Sequence, residues 1–390
     1  MTILVSRTGT AVVQRPAAAG WVAPAGTRDA VPDDNAALVA LARLCPMEGE
    51  IGLCIDRAPD FFALNALEGE RWRVGVTGDA AGRVVGCVAA AERTTYLNGQ
   101  PVETAYISDL KVHPAHRGTG AADALSVYAR DACRDFGGDR VATLMTVLAG
   151  NARMERRTAA RGELPPLRRF ATIHAYAVPL LTRRPPADGV LGLRVGEARH
   201  ADLEEMAALW GRVAPGRQFA PLMDAEGMVR WMGRAPGLHV TDYLLARGRD
   251  GRIAGFLALW DQRSFKQLRV VRYSPAMAAM RLAVNALAPL AGAPPLPREG
   301  SALHALAAVH VCASDPAVLH ALLVHGYNAR RRTGYSFFTI GLDARDPLAG
   351  ALRGFWAQPT AVHAYAATPS GPYSGPALDD RPLHHETALV

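Results

Sequence analysis

Lysine is almost missing from this chain. Lys111 and Lys266 are the only two among 43 basic side chains, so the formal net charge of +7 rests on arginine. A basic balance can signal nucleic acid, a membrane surface or a phosphorylated ligand. No run of five basic residues occurs and no zinc-finger or RNA-binding signature is present, so a nucleic-acid partner is not expected. The densest cluster, Arg153, Arg156, Arg157, Arg161, Arg168 and Arg169, reads as a solvated helix face. Cysteine is scarce too. Cys45, Cys54, Cys87, Cys133 and Cys312 are odd in number, scattered and set in apolar context, as reduced thiols of a cytoplasmic protein would be.

Long apolar runs are also lacking. The opening "MTILVSRTGTAVVQ" has no sustained apolar core of the kind a signal peptide needs. The stretch "AMAAMRLAVNALAPLAGA" is interrupted by Arg281, Asn285 and Pro289, and reads as a core helix, not a membrane span. No Gly-x-Ser-x-Gly elbow occurs, which disfavours a serine hydrolase. His304, His310, Cys312, His320 and His325 have a spacing that fits no closed ligand set, so no metal is expected.

What remains is a soluble globular chain, 49% hydrophobic and 20% charged, whose 390 residues exceed one ordinary core. The Pro-rich "TRRPPADG", residues 182–189, reads as a linker between two domains. The division expected is 1–182, a linker at 183–189, 190–365, and a flexible tail at 366–390 rich in Pro, Gly and Ser. Residues 1–24 read as an edge strand or an extended arm. The two parts look like copies of one fold: Asp34 aligns with Asp202, Asn151 with Asp315 and Gly162 with Gly326. In the first copy a helix near 34–45 precedes the strands "RWRVGVTG" and "RVVGCVAAAERTTYL". A hairpin at Asn98-Gly99 and the strand "ETAYISDLKV" follow. A helix from Ala121 to Phe136 then shows Leu125, Tyr128, Ala129, Ala132 and Phe136 on one face and ends at Gly137-Gly138, before the strand "VATLMTVL". This is a mixed α/β layout.

Residues 107–122 carry the chemistry. Ile107, Leu110 and Val112 cannot share one face of a regular strand, so a β-bulge is expected near Ser108-Asp109. Arg117 to Ala122 then form a strand-to-helix turn. Gly118 and Gly120 admit close approach of a ligand, and the helix N-terminus offers free N–H groups to an anion. A Walker loop would need Gly-Lys-Ser/Thr, and a dinucleotide fingerprint would need Gly or Ala where Asp123 stands.

With "Leu-x-Val-x-Pro" at Leu110–Pro114 and Arg117-Gly118-Thr119-Gly120-Ala121-Ala122 behind it, the stretch resembles the GCN5-related N-acetyltransferase (GNAT) superfamily. The resemblance covers residues 27–182 and continues more faintly to about 345. It implies that the amides of Arg117, Gly118, Thr119, Gly120, Ala121 and Ala122 hold the pyrophosphate of acetyl-CoA or another acyl-CoA. It implies that Leu110, Lys111 and Val112 pair with the pantetheine arm, and that Asn151 opens the following helix and touches that arm. The implied activity is transfer of an acetyl or longer acyl group to an amine.

Such transfer needs a neutral amine, a polarised carbonyl and a protonated leaving thiolate. The Val112 N–H is the expected carbonyl donor. Asp109 is the first candidate base and Glu103 the second. Thr158 stands where the family often has a Tyr as acid, so water, Tyr106 or Tyr176 supplies the proton, or the thiolate leaves unaided. In the second copy the equivalent junction is expected near "LRVVRYSPAMAAMRLAVNAL". No Gly occurs from 256 to 291, so this half reads as degenerate, walling the cleft or covering the first domain. A non-catalytic acyl-CoA binder is the alternative. The acceptor, a small molecule or a peptide amine, the acyl length and the oligomeric state are not legible.

Overall fold

The computed structural model describes residues 26–159, 167–291 and 294–390. The readings of residues 1–24, Arg161 and Gly162 lie outside them. The first half runs β1 (Arg28–Asp29), α1 (Asn35–Arg43), β2 (Ile51–Asp56), α2 (Phe62–Glu68), β3 (Arg71–Gly78), β4 (Val84–Leu97), β5 (Gln100–Val112), α3 (Ala121–Gly137), β6 (Ala142–Leu148), α4 (Ala152–Ala159) and β7 (Arg168–Pro179). The second runs α5 (Asp188–Leu191), β8 (Arg194–Glu197), α6 (Leu203–Val213), β9 (Ala220–Pro221), α7 (Ala225–Arg234), β10 (Tyr243–Arg247), β11 (Ile253–Trp260), β12 (Gln267–Tyr273) and α8 (Pro275–Ala291). It ends with β13 (Ala302–Leu303), β14 (Ala305–Ala313), α9 (Pro316–Arg330), β15 (Phe337–Asp343), β16 (Gln358–Thr368) and β17 (Gly371–Pro372).

Local chemistry accounts for the first half. Strand β4 is buried on both faces: Cys87, Ala89 and Ala91 meet α1 and Phe61-Phe62, while Val88 and Ala90 meet α3. Small alanines let both helix layers approach the strand closely. The hairpin to β5 turns at Asn98 (φ 50°) and Gly99 (φ 81°), as its sequence demands. Helix α3 buries Leu125, Tyr128, Ala129, Ala132 and Phe136, which recur at helical spacing, and stops at Gly138 (φ 75°).

The sheet is mixed and runs β1-β3-β4-β5-β6-β16-β7-β15-β14-β11-β10-β8. Strands β5 and β6 are parallel across α3, and β14 and β15 are parallel across α9. The run β3-β4-β5-α3-β6 thus recurs as β10-β11-β14-α9-β15. The halves also interleave. Strand β16, from the end of the chain, lies between β6 and β7 and is antiparallel to both, while β7 pairs onward with β15.

Four expectations need correction. The second strand-to-helix junction is Ala313–Pro316, not the stretch around β12 and α8: β12 leaves the main sheet and pairs with β2 in a separate small sheet. Aligning Asn151 with Asp315 also fails, because Asp315 caps α9, the counterpart of α3, whereas Asn151 opens α4. Asp34 and Asp202 do correspond: each accepts a backbone N–H three residues back, from Val31 and Arg199, at 2.8 Å. Helix α8 is not a core helix, since Met280, Leu282, Leu287 and Leu290 are exposed. Lastly, the tail is docked. Leu383, Ala388 and Leu389 are buried, because Pro and Gly mark irregular backbone while the apolar residues among them still seek a core. Among the described residues no helix is long and apolar enough to cross a membrane.

Candidate active site

The site begins where β5 ends. After Val112 a short 3-10 turn, Pro114–His116, is capped by the His113 ring, which accepts from Ala115 N at 3.2 Å. Gly118 and Gly120 both take φ 84°, a region that L side chains avoid, and α3 starts at Ala121. A Cβ at either glycine would meet nothing within 4 Å, so the turn faces open space. Residues 117–120 are exposed, and a cavity of about 650 Å³ lies against His116, Thr119, Gly120 and Ala121 and the β3–β4 turn. Behind it Arg157 of α4 donates to Ala122 O (2.9 Å), Asp123 (2.6 Å) and Ser126 (3.0 Å), which fixes α4 to the start of α3. Asn151 is exposed and its side chain caps α4, accepting from Met154 N at 3.2 Å.

The phase slip in β5 is a bulge. Ala89 stands opposite Ser108 and Cys87 opposite Lys111, and Asp109 takes φ 55°. The extra residue turns Ile107, Leu110 and Val112 toward α3 together. Pairing of β5 with β6 stops at Ile107–Met145, although β5 continues to Val112. The β6 side of residues 108–112 therefore opens toward the glycine turn.

Polar and charged groups converge on the bulge from α2, from β5 itself and from the loop after β2. Asp109 accepts from Arg57 (2.9 Å), from Asn65 of α2 (3.0 Å) and from the Lys111 ammonium. Burial alone would raise its pKa, but Lys111 and Arg57 outweigh that and hold the carboxyl far below the usual range. Such a carboxylate is a weak proton acceptor, which argues against the base role expected of it. Glu103 is exposed near the start of β5, remote from the bulge. Tyr106 is buried, its hydroxyl lies 3.1 Å from Thr146 Oγ1, and the Arg93 guanidinium sits 4.6 Å over its ring. Burial pushes the phenol pKa up. Thr158 turns its hydroxyl back onto Glu155 O at 2.9 Å, and Tyr176 on β7 lies 3.3 Å from His174.

Glu68, at the end of α2, escaped the sequence reading. It is buried, one carboxylate oxygen accepts from Ser108 Oγ at 2.8 Å, and the other has no partner. Burial and then the Asp109 charge raise its pKa to about 7. Nothing in "NALEGE" marks it, because its meaning comes from contact with a strand far along the chain. Arg93 Nη2 and both ring nitrogens of His385 are likewise buried without partners beside Tyr106. Lys266, in the second half, donates to Ala388 O at 2.8 Å.

The second half repeats the bulge and then fills it. His310 takes φ 52° at a register shift, and its N–H donates to Glu386 at 2.9 Å. Helix α9 starts without glycine: Pro316 removes one N–H, and the Asp315 carboxylate accepts another from Ala317 at 2.6 Å. A carboxylate supplied by the chain already occupies that helix end.

Comparison with known proteins agrees with this geometry. Residues 58–152 match the family model described as an acetyltransferase (GNAT) domain, and the chain carries a GNAT domain there. One solved structure with the same fold is the GCN5-related glucosamine N-acetyltransferase region of a fungal multi-domain GH3 β-N-acetylglucosaminidase. Its TM-score is 0.57 at 13% identity, with 87% of this chain and 37% of that one covered. Another is Saccharomyces cerevisiae N-myristoyltransferase with bound myristoyl-CoA, at TM-score 0.57 and 12% identity, covering 92% and 88%. A third is a GCN5-related N-acetyltransferase from Sphaerobacter thermophilus, at 0.56 and 16%, covering 88% and 95%. These likenesses concern the fold. No curated protein sequence matches the chain.

Proposed function

We propose that the protein is an N-acyltransferase that moves an acetyl or longer acyl group from acyl-CoA to an amine by direct attack. The observation that carries this reading is the bulged, open-edged strand leading into a double-glycine helix start inside the GNAT match. The turn fits a diphosphate, because its backbone is exposed and no side chain crowds it. The amides of residues 117–122 would hold that group. The open side of Leu110–Val112 would align the pantetheine arm, and Asn151 flanks it. When bound, acyl-CoA supplies the thioester. The Val112 N–H polarises the carbonyl.

Glu68 takes the proton of the attacking amine, in place of Asp109, whose part is to hold Arg57 and Lys111 at the bulge. The unpartnered atoms of Glu68, Arg93 and His385 mark where an acceptor bonds, since buried polar groups are normally satisfied. An acceptor that offers an amine to Glu68 and an oxygen to Arg93, a small molecule or a peptide end, suits them. The second half is a degenerate GNAT copy, and the protein works in the cytoplasm. Incubation with acetyl-CoA and an amine panel should release free thiol. Thr158, whose hydroxyl is committed to its own helix, favours one other reading: a non-catalytic acyl-CoA binder, which would retain the coenzyme and release none.

A further inference from the structure

The stretch "AMAAMRLAVNALAPLAGA" has the composition of a core helix, yet as α8 it lies outside the core. Its two sides are reversed relative to an ordinary surface helix, whose apolar stripe faces inward. The inward side is the polar one. The Asn285 amide donates to Leu296 O at 3.0 Å and accepts from Leu296 N at 2.7 Å, while the Arg281 guanidinium sits 5.7 Å over the Tyr273 ring. These contacts hold the apolar side toward solvent, where Met280, Leu282, Leu287 and Leu290 are 53%, 67%, 62% and 81% exposed. The exposed residues are also ordered. Ala276, Met280, Ala283, Leu287 and Leu290, all exposed, follow one another at steps of four and three, the spacing of a coiled-coil seam. Arg281, Asn285 and Ala288 fall on the opposite side. A seam with this spacing takes another helix, and because it carries no charge the partner face must be apolar too.

We propose that α8 is the contact between two copies of this chain, laid antiparallel across a two-fold axis. The seam is complementary to itself in that direction. Met280 of one copy meets Leu290 of the other, and Ala283 meets Leu287, so small faces large. A parallel pair would set Ala276 and Ala283 against their own copies and leave gaps. Among the described residues, other exposed large hydrophobics such as Leu44, Leu222, Val229 and Trp356 stand on separate elements and form no second seam. The face that matches α8 is therefore α8 itself, and such a contact closes at two copies. A lipid surface fits less well. The helix has no lysine and no aromatic residue, and its single Arg281 turns inward, so it lacks the cationic face that holds interfacial helices on membranes. Two helices of this length, about 26 Å each, bury on the order of 1,000 Å² between them, the lower bound of specific interfaces. The dimer is accordingly a reversible one.

Sedimentation velocity of the full chain from about 1 to 100 μM tests this, and should show the mass rising from one chain to two. Leu287→Glu places a carboxylate in the seam and should weaken association by about 100-fold or more. Because Leu287 is exposed, its circular dichroism should match that of the wild type. An equimolar mixture of Leu287→Glu and Ala283→Lys chains should associate more tightly than either variant alone, since the antiparallel register sets the two charges face to face. A wild type that stays monomeric at about 100 μM, or a dimer that Leu287→Glu leaves intact, would overturn the proposal. So would a monomer that phospholipid vesicles retain and Leu287→Glu releases, which would give the face to lipid. A mixture no more associated than its components would overturn the antiparallel pairing.

Discussion

Glu68 and Asp109 lie together and their pKa values are shifted in opposite directions: burial and then the Asp109 charge raise the one, while Lys111 and Arg57 outweigh burial and lower the other. That difference separates their tasks. Glu68→Gln should lower kcat by about 100-fold or more and remove the acidic limb of its pH profile. In the wild type that limb should rise through about pH 7, since the carboxylate form is lost below that value. Asp109→Asn should act on stability instead, leaving Arg57 and Lys111 without a counter-charge at a cost of about 3 kcal/mol in denaturant unfolding. The sign follows from the lowered pKa: the Asp109 contribution is complete above about pH 4 and fades as acid protonates the folded carboxylate. An Asp109→Asn chain as stable as the wild type would contradict this. Asp109 was legible because the apolar phase slips around it. Glu68 was not, because its partner Ser108 lies on a distant strand and no local pattern links them.

At the scale of elements, the glycine turn and the bulge are local devices and could be read directly. Gly120→Val would force a β-branched residue to φ 84°, a strain of about 1–2 kcal/mol. The nearest atoms are too far to clash, so the cost falls on backbone conformation and hence on the aim of the amides. Acetyl-CoA binding should weaken about tenfold or more while α3 stays intact by circular dichroism; undiminished affinity would count against the turn as the diphosphate site. The second junction misled because two segments of the second half read as strand then helix. Only tertiary pairing separates them: β12 turns away to β2, while β14 keeps its place in the main sheet. The Asp315-Pro316 start of α9 was the available signal, and it marks a helix end that is already capped.

For the whole molecule, the paired Asp34 and Asp202 starts pointed to a repeat, but the interleaving of its halves was not legible. A strand register between distant segments leaves no trace in composition. With β16 seated between β6 and β7, neither half can complete its sheet alone. Scanning calorimetry should therefore give one cooperative transition, and two well-separated transitions would contradict the interleaved sheet. The plugged second bulge and the capped α9 also fix a number. Isothermal titration of acetyl-CoA into the full chain is the most direct test: one saturable site per chain is expected, weakened by Gly120→Val. No binding, two equivalent sites, or a site indifferent to that substitution would contradict the reading of the first half as the acyl-CoA domain.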